Sequence, residues 1–336
     1  MKTVYTQDTV QGRSVISRLV VDDLPVGEHQ FWFQVATSAL AQPQLIPVTV
    51  FKATQAGPKA MVTAGVHGDE LNGILTAQQI ARECAGKILV GSLIVIPTIN
   101  LSGINAGTRD FVSADPDASP CNLNRFFPGK SNGDAANQYL HCLWHRLLKD
   151  NAGFTVDLHT QTRGATYPLY VFADFRLQSA LSMARLMDPD CILNDPGDDG
   201  VLETVWNQHG VPCITVEVGT GKITEQAYIE RAVCGIKNIL ASHHMLDEHS
   251  MSAPKFQERC IEGQSVTSIR AKQGGFCIAQ VSLLQEVEQE ELVAIQYDAF
   301  GDETERYCAS QAGTVLSHHS ESLRETGALL VRLIHR

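Results

Sequence analysis

The sequence predicts an α/β protein: a three-layer αβα sandwich with a mixed, mostly parallel central sheet, then a small C-terminal all-β domain. Three observations carry this. From Lys59 onward, short apolar runs alternate with stretches of helical periodicity. That is the pattern of strands joined by helices lying on both faces of a sheet. After about His244 the alternation stops, and short β-like runs follow one another. The polar residues suited to chemistry sit at the ends of the apolar runs, where sites in open α/β sheets gather.

The elements follow in order. Residues 1 to about 50 alternate polar and apolar, as in FWFQVAT (31–37) and LIPVTVF (45–51). They read as antiparallel strands at a sheet edge, an N-terminal β-rich segment over 1–45 that packs on the main α/β domain over 46–248. AMVTAGV (60–66) is a short apolar strand. LNGILTAQQIARECA (71–85) is a helix, with Leu71, Ile74, Leu75 and Ile80 near helical spacing. SLIVIPTIN (92–100) is a second strand, ended by Pro97 and Asn100. FTVDLHT (154–160) is a third, and VPCITVEVGTG (211–221) a fourth, closed by glycines. Helical patterns fill ANQYLHCLWHRLLKD (136–150) and RLQSALSMARLM (176–187).

HHMLDEHSMSAPKFQ (243–257) reads as a linker, with a β domain over 255–336 beyond it. That domain contains FCIAQVSLL, ELVAIQY, GTVLSHH and ALLVRLIHR, and a faint repeat. Gly275, Val293 and Ile295 recur 38 positions later as Gly313, Val331 and Leu333. Two similar halves of short strands suggest a small barrel or sandwich built by duplication.

Composition narrows the function. The net charge is −11 and no Lys/Arg run occurs, which argues against a nucleic-acid partner. The longest apolar runs, such as LIVI (93–96), are too short to span a bilayer, so no membrane partner is expected. The N-terminus lacks the apolar stretch of a signal peptide. Nine cysteines are scattered without C-x-x-C pairs and read as reduced thiols of a cytoplasmic protein. The one G-x-S-x-G, GKSNG (129–133), follows FFP rather than an apolar strand run, and no cysteine has a convincing histidine partner in sequence, which argues against Ser and Cys nucleophiles. His243–His244 and His318–His319 lack acidic or cysteine partners at ligand spacing and read as surface residues. The sequence leaves open whether the chain forms a homo-oligomer.

AGVHGDELNG (64–73) ends an apolar run on a histidine and two acids. His67 and Glu70, three apart on a turn entering a helix, can aim at one point, and both residue types bind zinc. A lone H-x-x-E is common by chance, so a distant third ligand is required. His159 is the natural candidate, although a strand-end histidine is more often capped or packed. Period-2 alternation in VDLHT puts Asp157 and His159 on one face. Glu217 is a carboxylate in the apolar run ITVEVG, and must be paired or face a site. Burial would raise its pKa toward that of a general base. The alternative is a structural carboxylate bonded to backbone. Asp69 has no catalytic role in this reading and would cap the helix that starts at 71.

VHGDE, NLNRFFPG (122–129), DLHT (157–160) and VEVG (216–219) occur in the order seen in the succinylglutamate desuccinylase/aspartoacylase family, a branch of the zinc carboxypeptidase-like hydrolases. The resemblance covers roughly residues 45–245. It implies one Zn2+ per chain, held by His67, Glu70 and His159, with Glu217 as catalytic glutamate. Asn124 and Arg125 resemble a pair that binds the substrate carboxylate; a surface ion pair of Arg125 with Asp115 or Asp117 is the alternative. Arg109, in AGTRDF, resembles the arginine that polarises the scissile carbonyl. Arg163, just after DLHTQT, is a further substrate-binding candidate.

The function so implied is a zinc-dependent amidohydrolase. It would remove the acyl group from a small N-acyl amino acid or related amine, through a metal-activated water and Glu217 as general base and acid. A carboxypeptidase-type peptidase, and a noncatalytic protein that keeps the metal, are the alternatives. Two departures stand out. Asn122 occupies the position where the family usually has Asp. It can accept an imidazole N–H through its carbonyl oxygen, but without charge. The arginine and tyrosine that some aspartoacylases use on a side-chain carboxylate are not evident in ETVWNQHGVP. Activity on acetyl-aspartate or succinylglutamate is therefore not implied. The C-terminal region resembles a biotinyl/lipoyl-like barrel. No lysine follows Lys272, so no modified lysine can sit at a hairpin tip between the halves, and the domain is expected to be structural or to gate the cleft.

Overall fold

In the computed structural model, residues 2–247, 249 and 260–336 are described. Most of the expected linker, and both domain boundaries at 248 and 255, lie outside them. Among the described residues an eleven-stranded sheet runs through the molecule. Its strands in chain order are β1 (Val4–Val10), β2 (Arg13–Arg18), β3 (Gly27–Thr37), β4 (Pro43–Lys52), β5 (Gln55–Ala64), β6 (Val90–Ile96) and β7 (Phe154–Gln161). A two-residue strand, β8 (Ala165–Thr166), stands apart from that sheet. β9 (Leu169–Ala173), β10 (Cys191–Asn194), β11 (Cys213–Thr220) and β12 (Ile261–Gly263) complete it. The spatial order is β1-β2-β3-β4-β6-β5-β7-β11-β9-β10-β12. The N-terminal strands are thus continuous with the sheet, and residue 45 falls inside β4.

β6, β5, β7 and β11 are neighbours and mutually parallel. Strands buried on both faces carry apolar residues on each. Along β5, Val62 and Ala64 enter one core, and Met61 enters the other. Helices α1 (Leu71–Cys84), α4 (Gln178–Leu186) and α6 (Gln226–Ser242) cover the first face. Helices α3 (Ala135–Leu143) and α5 (Leu202–Gln208) cover the second. A short helix, α2 (Leu101–Ala106), follows β6, with Asn100 as its cap: Oδ1 accepts the Gly103 N–H at 2.9 Å. None of these helices is long and apolar enough to cross a membrane.

α1 buries Ile74, Ala77, Ile80 and Cys84 at helical spacing. Leu71, expected on that stripe, is 42% exposed, while Asn72 beside it is fully buried. The reason is local: the Asn72 amide donates to the Val218 carbonyl at 2.9 Å and so turns the helix start toward β11. Asp69 does not cap this helix either. Glu70 holds the cap position, with no side-chain capping bond.

After residue 260 come β13 (Ser265–Arg270), β14 (Gly275–Ala279), β15 (Glu286–Val287), β16 (Leu292–Tyr297), β17 (Glu303–Cys308), β18 (Gly313–His319), β19 (Leu323–Arg324) and β20 (Leu329–His335). They form two antiparallel sheets, ordered β13-β20-β18-β15 and β17-β16-β14-β19. β13 and β17 start and end 38 residues apart, and β14 and β18 start 38 apart, as the repeat anticipated. His319 corrects an expectation. It is buried between the sheets, its ring bonded to the carbonyls of Cys277 and Leu330, rather than lying at the surface.

Two glycines fix how the chain approaches the strand ends. A Cβ on Gly68 would lie 2.0 Å from the Gly103 carbonyl carbon, so the turn after His67 can press on α2 only without a side chain. A Cβ on Gly73 would stand 2.8 Å from the Leu158 carbonyl oxygen. Gly73→Ala should therefore push α1 off β7 and destabilise the protein by about 1–3 kcal/mol, read by urea unfolding. A midpoint unchanged from wild type would show that the contact is slack.

Candidate active site

Three parallel strands deliver the site. β5 runs out into His67, β7 carries His159 near its end, and β11 carries Glu217, paired in register with His159. Glu70 comes from the turn into α1. His67, Glu70 and His159 are each about 2% exposed. His67 Nδ1 lies 2.8 Å from Glu70 Oε1. His159 Nδ1 lies 2.9 Å from Glu70 Oε2 and 3.1 Å from His67 Nδ1. Among the described residues this is the one group of three whose ligand atoms converge tightly enough to hold a metal ion.

The far side of each ring fixes its tautomer. His67 Nε2 meets Asn122 Oδ1 at 2.8 Å, and the same oxygen accepts the Asn124 N–H at 2.9 Å. That oxygen is an acceptor, so His67 donates from Nε2. His159 Nε2 donates to Asp157 Oδ2 at 2.8 Å. In their neutral form both rings then turn their Nδ1 lone pairs toward each other and toward one carboxylate. Lone pairs so placed repel unless positive charge lies between them. This donor set fits a divalent cation.

The electrostatics agree. Burial opposes ionisation of Glu70, but His67 and His159 hold its carboxyl far below the usual range. Burial would likewise lower the His159 pKa, and the Asp157 and Glu70 carboxylates outweigh that and raise it. Glu70 is also bound by the Thr160 N–H at 3.1 Å and by Arg109 Nη1 at 2.6 Å. Arg109 keeps 32% of its side chain exposed.

The succinylglutamate desuccinylase/aspartoacylase catalytic domain matches residues 56–243 by family profile, more than half of the chain. The protein belongs to this family. An N-α-acetyl-L-2,4-diaminobutyric acid deacetylase from Halomonas elongata is 26% identical over 264 residues, 76% of this chain and 74% of its own length. A succinylglutamate desuccinylase from Pseudomonas paraeruginosa is 27% identical over 194 residues. The match takes in 53% of this chain and 55% of that protein, so the chain spans about half of that relative. Among solved structures, product-bound ectoine utilization protein EutE (DoeB) from Ruegeria pomeroyi has a TM-score of 0.81 at 22% identity. The match covers 94% of this chain and 98% of that one. An aspartoacylase family protein from Mesorhizobium loti has a TM-score of 0.78 at 20% identity, over 100% and 98%. These structures share the fold.

Within the desuccinylase/aspartoacylase frame, the other predicted residues fall as follows. Glu217 is buried at 6% exposure, and its Oε2 has no hydrogen-bond partner. Burial pushes its carboxyl up to about 8; Glu70 adds to this, and His159 and Arg109 oppose it. Asn124 is buried, and its Oδ1 accepts the Leu202 N–H at 2.8 Å. Arg125 is exposed. Its Nη1 donates to the Asn124 carbonyl at 2.6 Å, and it makes no ion pair with Asp115 or Asp117. Arg163 is exposed on the loop after β7.

Sequence reasoning gave Asp157 no role, although it placed it on the face of His159. Its carboxylate aligns that ring, and its other oxygen accepts the Thr63 hydroxyl at 2.6 Å. The i, i+2 spacing in a strand was the available signal. The two histidines thus differ in backing, charged behind His159 and neutral behind His67.

Asn122→Asp should keep both hydrogen bonds, add a charge behind His67 and raise metal affinity about tenfold, read by competition with a chelator. Equal affinity would show that the neutral amide suffices. Glu203 yields a second expectation. It is buried in the first turn of α5. Burial holds its carboxyl well above 4.5, a hydrogen bond with Thr215 opposes this, and Asp195 and Asp157 add to the rise. The folded state keeps this proton to higher pH than the unfolded chain, so stability falls as pH rises above 4.5. Glu203→Gln stays neutral, so its stability relative to wild type should rise as pH is raised above 4.5. Unfolding curves that shift in parallel with pH would overturn this.

Proposed function

We propose that the protein is a zinc-dependent deacylase that hydrolyses the amide bond of a small N-acyl amino acid or related amine. The observation that carries this is the pairing of a converging His67–Glu70–His159 donor set with Glu217, a buried carboxylate that has a free oxygen beside it. When bound, zinc supplies a Lewis acid that polarises water and an amide carbonyl. His67, Glu70 and His159 would hold it, one ion per chain.

The remaining steps belong to side chains. Glu217, on the strand next to His159, takes a proton from water at Oε2 and returns it to the leaving amine. A carboxyl held near neutrality can both accept and release that proton. Arg109, anchored on Glu70, keeps the exposed third of its side chain available to oxygen charge developing on the substrate. Arg125 offers a planar guanidinium that can grip a carboxylate on two points. The backbone below it is fixed by Asn124, which acts as a brace through Leu202 as well as a contact. Arg163 would supply a second cationic contact.

The relatives support amide deacylation. Both curated ones are named for removing an acyl group from an amino acid, and the acetyl-diaminobutyrate deacetylase aligns over about three quarters of each chain.

Zinc-loaded protein should release amine from a panel of N-acyl amino acids and leave C-terminal dipeptides intact. Glu217→Gln should lower kcat by about 10²–10⁴-fold while zinc content stays at one per chain. Turnover of peptides alone, or a Gln variant as active as wild type, would overturn the proposal.

A further inference from the structure

The loop that follows the His159 strand is held from two directions. Residues 161–166 leave β7 at Gln161 and enter β8. On the catalytic side, the Gly221 N–H donates to the Gln161 carbonyl at 2.8 Å, and Thr220 Oγ1 donates to the Ala165 carbonyl at 3.1 Å. Both donors lie at the end of the strand that carries Glu217. On the C-terminal side, β18 pairs with β8, placing His318 opposite Thr166 and His319 opposite Ala165. The Ser320 N–H donates to the Gly164 carbonyl at 3.0 Å, and Arg324 Nη2 donates to the same oxygen.

Arg324 is itself fixed. β19 pairs with β14, with Arg324 opposite Gly275, so this guanidinium projects from the second β sheet of the C-terminal region. Its Nε is buried without a hydrogen-bond partner. Leaving a guanidinium donor unsatisfied costs free energy. The arrangement persists in exchange for a charge-assisted bond to one loop carbonyl. That carbonyl belongs to Gly164, the residue after Arg163 and five positions beyond His159.

We propose that Arg324 is a positioning residue that clamps the 161–166 loop, and that through it the C-terminal β domain sets how tightly Arg163 holds an anionic substrate group. The effect on substrate rests on the deacylase reading above; the clamp itself does not.

The test uses the full chain with Arg324→Ala, Arg324→Lys, Arg163→Ala and the Ala/Ala double variant. The first readout is limited trypsin digestion, with sequencing of the new N-terminus at Gly164. Freed backbone is cut faster. Wild type should resist cleavage after Arg163, Arg324→Ala should be cut there about tenfold faster, and Arg324→Lys should fall between.

The second readout is kinetics on carboxylate-bearing N-acyl amino acids. Arg324→Ala and Arg163→Ala should each raise KM about tenfold, the scale of one lost charge-assisted bond, with kcat and metal content near wild type. The double variant should be no worse than either single, because both changes remove the same contact. If no substrate turns over in wild type, calorimetric binding of the same compounds replaces KM, and that failure counts against the deacylase reading alone. An unchanged cleavage rate, additive losses in the double variant or loss of metal from Arg324→Ala would each overturn the clamp. Should Arg324→Ala fail to fold by circular dichroism, Arg324→Lys carries the comparison, and cleavage equal to wild type overturns it.

Discussion

Much of this molecule is arranged around a repulsion. Two imidazole lone pairs and a carboxylate face one another within about a hydrogen-bond length, in a spot from which water is largely excluded. With no proton or metal ion between them they would drive the strand ends apart. They stay because the opposite side of each ring is held and because the parallel strands beneath leave no slack. The lowered Glu70 and raised His159 pKa values state the same demand in the language of protons: positive charge belongs at this point. Arg109 meets part of that demand from outside, and the histidines frame the rest.

The surrounding construction then becomes intelligible. Gly68 and Gly73 are bare because any side chain would lift the turn or the helix from the backbone it touches, and so carry Glu70 away from His159. Asn100 caps α2 with its oxygen and reaches the Val66 carbonyl with its amide, tying the end of β5 to the next helix. Asn72 does the same between α1 and β11. Buried amides at strand ends are how this sheet keeps three separate chain segments in register at one point.

The central strands were legible because parallel strands buried on both faces are written as unbroken apolar runs. The chemistry was legible because each run stopped at a polar residue. What sequence could not show was set by side-chain direction. Leu71 looked like core because it keeps helical spacing with Ile74, yet the first turn of α1 faces the site, and there amide geometry decides orientation. Asp69 resembled a cap, but the next residue is committed to the histidines and takes that position without capping. His319 looked exposed beside its neighbour; strand alternation sends one of the pair inward, and two carbonyls from different strands receive it. The role of Asn122 was anticipated from the family resemblance, which puts an Asp at that position, and from chemistry, since an amide oxygen can accept what a carboxylate would. Arg324 could not be found this way, because its partner is a main-chain carbonyl 160 residues away.

The duplicated β domain has a further consequence. Each of its sheets takes its two central strands from one repeat and its two outer strands from the other. A single repeat would therefore present two bare edges and no finished sheet, the condition that invites association with another chain. The arrangement is that of an exchanged dimer joined head to tail: one copy alone could be completed only by a sister molecule, and covalent linkage makes that partner permanent. Stability here is a property of the pair, so damage to either half removes the frame of both.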